Sequence, residues 1–202
     1  MEKIGLYGGT FAPPHRGHIH AVHAFLAHVP VDELLVMPTF VPPHKVQAAG
    51  DTPALRLEMC HAAFDGIDRV TVSSYEIDRG DVSYTVQTLR HLTKPAHEIY
   101  LLCGTDMFLT LERWYQAAEI FRLAKIVCVS RTVEMQKTIE ETAVRYRQVH
   151  GATCILLPDA PLEISSTQIR EAIQTGESLT ALVPPEVEAI LRRENVYKGN
   201  TL

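Results

Sequence analysis

The chain has 202 residues, of which 46% are hydrophobic and 21% charged, and its formal net charge is -5. That length and balance indicate one globular domain with ample core material, with room for an appended helical part at about 159–202. The acidic balance argues against binding long nucleic acid through a general basic surface, but leaves open a local pocket for a small anion.

In chain order, strand-like apolar runs occur at "KIGLYG" (3–8), "ELLVMP" (33–38), "RVTVSS" (69–74), "EIYLLCG" (98–104), "KIVCVS" (125–130) and "TCILLP" (153–158). Helix-like stretches lie between them. Ile19, Val22, Phe25, Leu26 and Val29 recur at helical spacing, and 52–64, 84–92, 134–149, 166–174 and 185–194 also read as helices. Strands alternating with helices predict βαβ units: a Rossmann-like α/β fold, its sheet mostly parallel, with helices on both faces. Ligands of such sheets sit at the carboxyl ends of the strands, so loops 8–17, 38–53, 104–107 and 158–166 are expected to share a crevice. No basic-then-apolar leader precedes the first strand and no apolar run approaches the length of a membrane span, so the expectation is a cytoplasmic protein with no membrane partner.

The first chemical signal is "GGTFAPPHRGH", from Gly8 to His18. Gly8 and Gly9 end a strand, Pro13 and Pro14 stiffen the loop, and Gly17 and His18 open a helix. A helix start carries free N–H groups and the positive end of its dipole, and His15 and His18 add side-chain donors at that point. A second helix start lies in "EISSTQIREAI", where Ser165 or Ser166 is a natural N-cap, Thr167 lies in the first turn and Arg170 one turn in. Lys45, in "PPHK", can meet a phosphate as a point charge. "GTDMFLTLERWY" places Asp106 after a strand end and holds Trp114, the single tryptophan. In "RGDVSYTVQTL", Ser83 reads as the N-cap of a helix from Tyr84.

The density of histidines from His15 to His28 raises the question of a metal. His18 and His20 point to nearly opposite sides of a helix, and nothing near His20 and His23 completes a tetrahedral set. His20, His23 and His28 therefore read as ordinary surface residues. Cys60, Cys103, Cys128 and Cys154 form no CxxC pair and read as small buried thiols.

As a set these motifs resemble the nucleotidyltransferase superfamily signature GGTF-x-P-x-HxGH. "PPHK", "SYT", "GTD" followed by "W", and "ISSTQIR" come in the order seen in bacterial nicotinate-nucleotide adenylyltransferases, and the closing "VPPEVEAILRRENVY" is similar to that family's C-terminus. Ala12 stands where the family usually has Asp or Asn.

The resemblance implies adenylyl transfer from ATP to nicotinate mononucleotide, giving deamido-NAD and pyrophosphate. A phosphate monoester is already ionised at neutral pH, so its attack on the α-phosphorus needs no general base. By resemblance, His15, His18, Lys45 and Arg170 are the catalytic set. ATP would lie along Gly8, Gly9, Thr10, Phe11, His15, His18, Gly104, Asp106, Ile164, Ser165, Ser166, Thr167 and Arg170. The mononucleotide would meet Lys45, Tyr84, Thr85, Asp106, Trp114 and Tyr115, with Trp114 stacked on the pyridine ring. Mg2+ would arrive on ATP, with no protein metal site. The family also leaves room for a homo-oligomer.

Competing readings are another HxGH enzyme acting on nicotinamide mononucleotide or phosphopantetheine, a cytidylyltransferase, an ATP-binding module without turnover, and a scaffold. Both HxGH histidines being present speaks against the module. A scaffold leaves two anion-ready helix starts unexplained.

Overall fold

The computed structural model describes residues 1–43, 50–129, 135–158 and 162–198. Its centre is a six-stranded sheet: β1 (Glu2–Gly9), β2 (Glu33–Pro38), β3 (Val70–Val72), β4 (His97–Gly104), β5 (Lys125–Val129) and β6 (Cys154–Leu156). The order is β3-β2-β1-β4-β5-β6 and every pair is parallel. This is the doubly wound Rossmann order, whose direction of winding reverses between β1 and β4. Both faces are covered, which is why the central strands read as unbroken apolar runs rather than alternating ones.

Against one face lie α1 (Arg16–His28) and α2 (Pro53–Phe64). Phe25 and Phe64 pack there with Leu34, Val36, Leu102 and Val127. Against the other lie α4 (Thr85–Leu92), α5 (Thr105–Thr110), α6 (Ala117–Leu123) and α7 (Gln136–His150), where Leu89, Phe108, Ile120 and Tyr146 meet Leu101, Cys103 and Ile126. The short α3 (Tyr75–Arg79) follows β3. The last two helices, α8 (Ser166–Thr175) and α9 (Pro185–Glu194), build a third apolar cluster with α2, through Met59, Ile169, Val187 and Leu191. An ion pair from Arg193 to Glu58, 2.7 Å, closes its exposed edge.

The expected strands are all present, although β3 and β6 are shorter than their apolar runs. Residues 73–74 leave the sheet because Ser73 and Ser74 lead directly into α3. Neither α3 nor the α5–α6 segment was expected as helix. At five to seven residues each they carry too few turns for a periodic pattern, and tertiary packing holds them. The four cysteines are buried free thiols, and burial pushes Cys128 up to about 12. No helix among the described residues is long and apolar enough to cross a membrane.

Candidate active site

A crevice of about 560 Å³ opens at the carboxyl ends of the strands, between the ends of β1 and β4. Gly8, Gly9, Thr10, Phe11, His15 and His18 form one wall. Ile164, Ser165, Ser166, Thr167 and Arg170 close one end. Gly104, Asp106, Trp114, Tyr115, Tyr84 and Thr85 line the other. Pro42, Pro43 and Asp51 of the loop after β2 also reach it. The four loops expected to share one crevice do so among the described residues. Lys45 lies outside those residues.

The first wall is built by the entry to α1. His15 is its N-cap, buried to 2% exposure, and its carbonyl accepts from His18 N–H at 2.9 Å and Ile19 N–H at 3.2 Å. The His15 N–H donates to His18 Nδ1 at 3.2 Å, and the two rings stack with centroids 3.6 Å apart. Since Nδ1 receives a proton from the backbone, the His18 proton sits on Nε2. The edge of His18 rests on Phe11, centroids 4.9 Å apart. Phe11 is 2% exposed, so although it borders the crevice it mainly supports His18 from below. Gly17 leaves room for this geometry: a Cβ there would crowd the His15 ring at 3.0 Å and stand 3.4 Å from the Ile164 carbonyl. The spacing His-x-Gly-His thus lets one imidazole fold over the helix start and lets α8 approach it.

Approach of α8 is held by polar contacts. Ser165 is the N-cap and its hydroxyl accepts from Gln168 N–H at 3.1 Å. Ser166 Oγ donates to Pro13 O at 2.9 Å, and Arg170 Nη1 donates to Ala12 O at 2.8 Å. Arg170 Nη2 donates to Thr167 Oγ1 at 2.9 Å. The α8 start is therefore clamped beside the α1 entry, where the Arg16 N–H is already taken by Leu182 O at 2.9 Å and the His18 N–H by His15 O. Ala12 meets Arg170 through its carbonyl, a contact any residue could offer from that position.

At the other end the N-cap of α4 is Tyr84, and Ser83 does not cap the helix. Its hydroxyl instead accepts from Phe40 N–H at 2.9 Å, because Val41 and Val82 form a parallel bridge that draws the loop after β2 alongside. Tyr84 and Tyr115 lie with ring centroids 4.7 Å apart, and half-buried Trp114 lines the crevice beside them. Asp106 stands in the first turn of α5, exposed to the crevice.

Behind the crevice lies a buried polar chain. Arg56, with a fully buried side chain, donates from Nη2 to Thr39 O and Phe40 O and from Nη1 to Asp51 Oδ2, each at 2.7 Å. Burial pushes the Asp51 carboxyl up against the opposing pull of Arg56. Tyr197 Oη reaches Asp51 Oδ1 at 3.3 Å. One guanidinium thus pins both described ends of the loop in which Lys45 sits in sequence.

The cytidylyltransferase-like family model matches residues 6–172. The chain belongs to that family. Among curated relatives of this cytidylyltransferase-like chain, a protein of Clostridium kluyveri named "Probable nicotinate-nucleotide adenylyltransferase" is 36% identical over 98% of this chain and 100% of its own length. A Synechococcus protein of the same name is 38% identical over 98% of this chain and 95% of its own. The fold matches that of Plasmodium falciparum nicotinic acid mononucleotide adenylyltransferase complexed with NaAD, with a TM-score of 0.73, 14% identity and 98% of each chain covered.

Within this cytidylyltransferase-like fold every site residue expected from sequence, Lys45 aside, borders the crevice. His20 had read as a surface residue but is half-buried and also borders it, because α1 runs along its rim. Three further residues escaped sequence reading. Asp51, Arg56 and Glu76 belong to no recognisable motif, and no local pattern separates a buried ion from a solvated one. Among the described residues no group of three or more His, Cys, Asp or Glu side chains could hold a metal ion.

Proposed function

We propose that the protein is a nicotinate-nucleotide adenylyltransferase of NAD biosynthesis. It joins ATP and nicotinate mononucleotide to give deamido-NAD and pyrophosphate. The observation that carries this reading is the clamp of α8 onto the α1 entry by Ser166 and Arg170, which brings the α8 helix start and the His15–His18 pair to one end of a crevice whose other end is aromatic. A nucleoside triphosphate suits the first end and a pyridine ring the second. Relatives carrying the same name over nearly the whole chain support it.

In this reading the 5′-phosphate oxygen of the mononucleotide attacks the α-phosphorus of ATP. The bond from the α-phosphorus to the bridging oxygen breaks, and pyrophosphate leaves. No proton needs removal from the attacking group. The protein supplies position and charge stabilisation. His18 Nε2–H donates to the α-phosphate as charge develops, and His15, stacked behind it, holds that ring in place. The N–H groups at the start of α8, with Thr167 and Arg170, hold the outer phosphates, and Lys45 approaches the reacting phosphates. Gly8, Gly9, Thr10 and Gly104 line the nucleotide channel, and Asp106 holds a ribose. Trp114 stacks on the pyridine ring, with Tyr84 and Tyr115 beside it. The free N–H groups at the start of α4, at Thr85, receive the ring carboxylate. Magnesium would arrive on ATP and offset part of its phosphate charge.

The test is pyrophosphate release from ATP with nicotinate mononucleotide, nicotinamide mononucleotide and phosphopantetheine in turn. N–H donors favour a carboxylate and cannot accept from an amide NH2, so the acid should exceed the amide by roughly tenfold to a hundredfold in kcat/KM. Equal use of acid and amide would remove the α4 start from the assignment. Phosphopantetheine as the best substrate would overturn the reading.

A further inference from the structure

Glu76 of α3 lies behind the start of α4, at 4% exposure, and borders the same end of the crevice as Ser83, Tyr84 and Thr85. Its Oε1 accepts from Thr88 Oγ1 in α4, at 2.5 Å. Its Oε2 is buried without a hydrogen-bond partner. The Ser83 hydroxyl stands next to the carboxyl and favours its ionised form, as Thr88 does. The charged group acting on it is Arg79 of its own helix, which sends Nη2 to Val82 O at 2.8 Å and makes no hydrogen bond to Oε2. From α4 the facing group is the neutral Thr88, and from the turn before it the neutral Ser83. The other acids bordering the crevice are Asp51, paired with Arg56, and Asp106 on α5.

A negative charge behind a helix start draws on the same positive field that would receive an anionic ligand there. An ionised Glu76 therefore repels a second carboxylate at the α4 N–H groups, and a neutral Glu76 leaves them free. Burial of Oε2, which makes no close hydrogen bond, favours the neutral form, since a buried oxygen costs more when it carries charge, and the adjacent Ser83 hydroxyl offsets part of that cost. Burial pushes the Glu76 carboxyl above its usual range, with Thr88, Ser83 and Arg79 opposing in that order. Its ionisation is thereby moved toward working pH.

On the reading that the α4 start receives the ring carboxylate, we propose that Glu76 is a specificity-determining positioning residue: neutral, it leaves the α4 start open to the acid substrate, and ionised, it excludes that substrate. Nothing reacts at Glu76, and its effect passes through the α4 N–H groups.

The experiment measures kcat/KM for nicotinate mononucleotide with wild type and Glu76→Gln, with ATP saturating. The ratio of variant to wild type is the readout, so that titration of the substrates cancels. Glutamine keeps the shape, can still accept from Thr88 and cannot ionise. The ratio is expected to rise about threefold to tenfold from the acid to the alkaline side of the Glu76 ionisation, entirely in the KM of the mononucleotide. A ratio that does not change with pH, including a uniform loss at every pH, overturns the inference. Thr88→Val provides a second arm. Removing that donor favours neutral Glu76, so the alkaline decline in kcat/KM should move to higher pH, and an unmoved decline also overturns it. Absence of any turnover of nicotinate mononucleotide by wild type would overturn the proposed function and this inference together. Turnover with a flat ratio would overturn this inference alone.

Discussion

The His15 backbone N–H donates to His18 Nδ1 at 3.2 Å while the two imidazoles stack 3.6 Å apart. One bond thus sets both the tautomer and the orientation of a ring at the mouth of a helix. The proton on Nε2 follows from backbone geometry, so no carboxylate partner is needed to orient it. His18→Ala should keep the fold, since the side chain is half-buried and stands over a crevice. Turnover should fall by about 10²–10³, the usual cost of losing a transition-state donor. Steady-state kcat with a thermal melt checks this, and an unchanged kcat in folded variant would take His18 out of the mechanism.

Arg170 joins α8 to the first loop through Ala12 O and to its own helix start through Thr167. Arg170→Ala should raise the KM for ATP roughly tenfold or more, in line with loss of a charged hydrogen bond, and leave the KM for the mononucleotide nearly alone. Arg170→Lys should recover only part, because an ammonium cannot fork to two acceptors. Equal changes in both Michaelis constants would contradict the assignment of this end to ATP.

Half-buried Trp114 lines the same end of the crevice as Tyr84 and Tyr115. Trp114→Ala should weaken the mononucleotide by roughly 1–3 kcal/mol, the range for stacking on a heterocycle. Titration of ATP alone into the variant should give nearly the wild-type affinity. Loss of ATP affinity instead would place the adenine, and not the pyridine, at this end.

Arg56 is the largest fully buried side chain with a charge, and it holds Asp51 and two carbonyls at once. Arg56→Met leaves Asp51 buried without its cation and should destabilise the fold by about 3–5 kcal/mol. Denaturant unfolding gives the number. A loss under about 1 kcal/mol would mean that water replaces the guanidinium contacts.

The raised Glu76 carboxyl has a stability consequence of definite sign. Its folded pKa lies above its unfolded value, so the folded state binds more protons between them. The Glu76 contribution to stability is therefore greatest below the unfolded value and declines as pH rises through the folded one. Glu76→Gln lacks this decline, so its stability relative to wild type should grow with rising pH across that window. Paired denaturation curves at several pH values would show a constant difference if Glu76 did not titrate there.

The strands, the longer helices and the two helix starts that border the crevice could be read from sequence because each depends on neighbours within one or two turns. An apolar run, a Ser or His at a helix entry and a glycine beside it are local facts. Other features depended on which distant segments meet. Ser83 looks like a cap in sequence, but the bridge of Val41 to Val82 turns it toward Phe40. Arg56 and Asp51 carry no local signal in sequence, and their pairing arises only where the loop after β2 meets α2. Glu76 becomes a buried acid only where α3 meets α4. The physical reason is that periodicity records backbone geometry, which is short-ranged. Desolvation of a charge depends on everything packed around it, and that is decided only when the chain has folded.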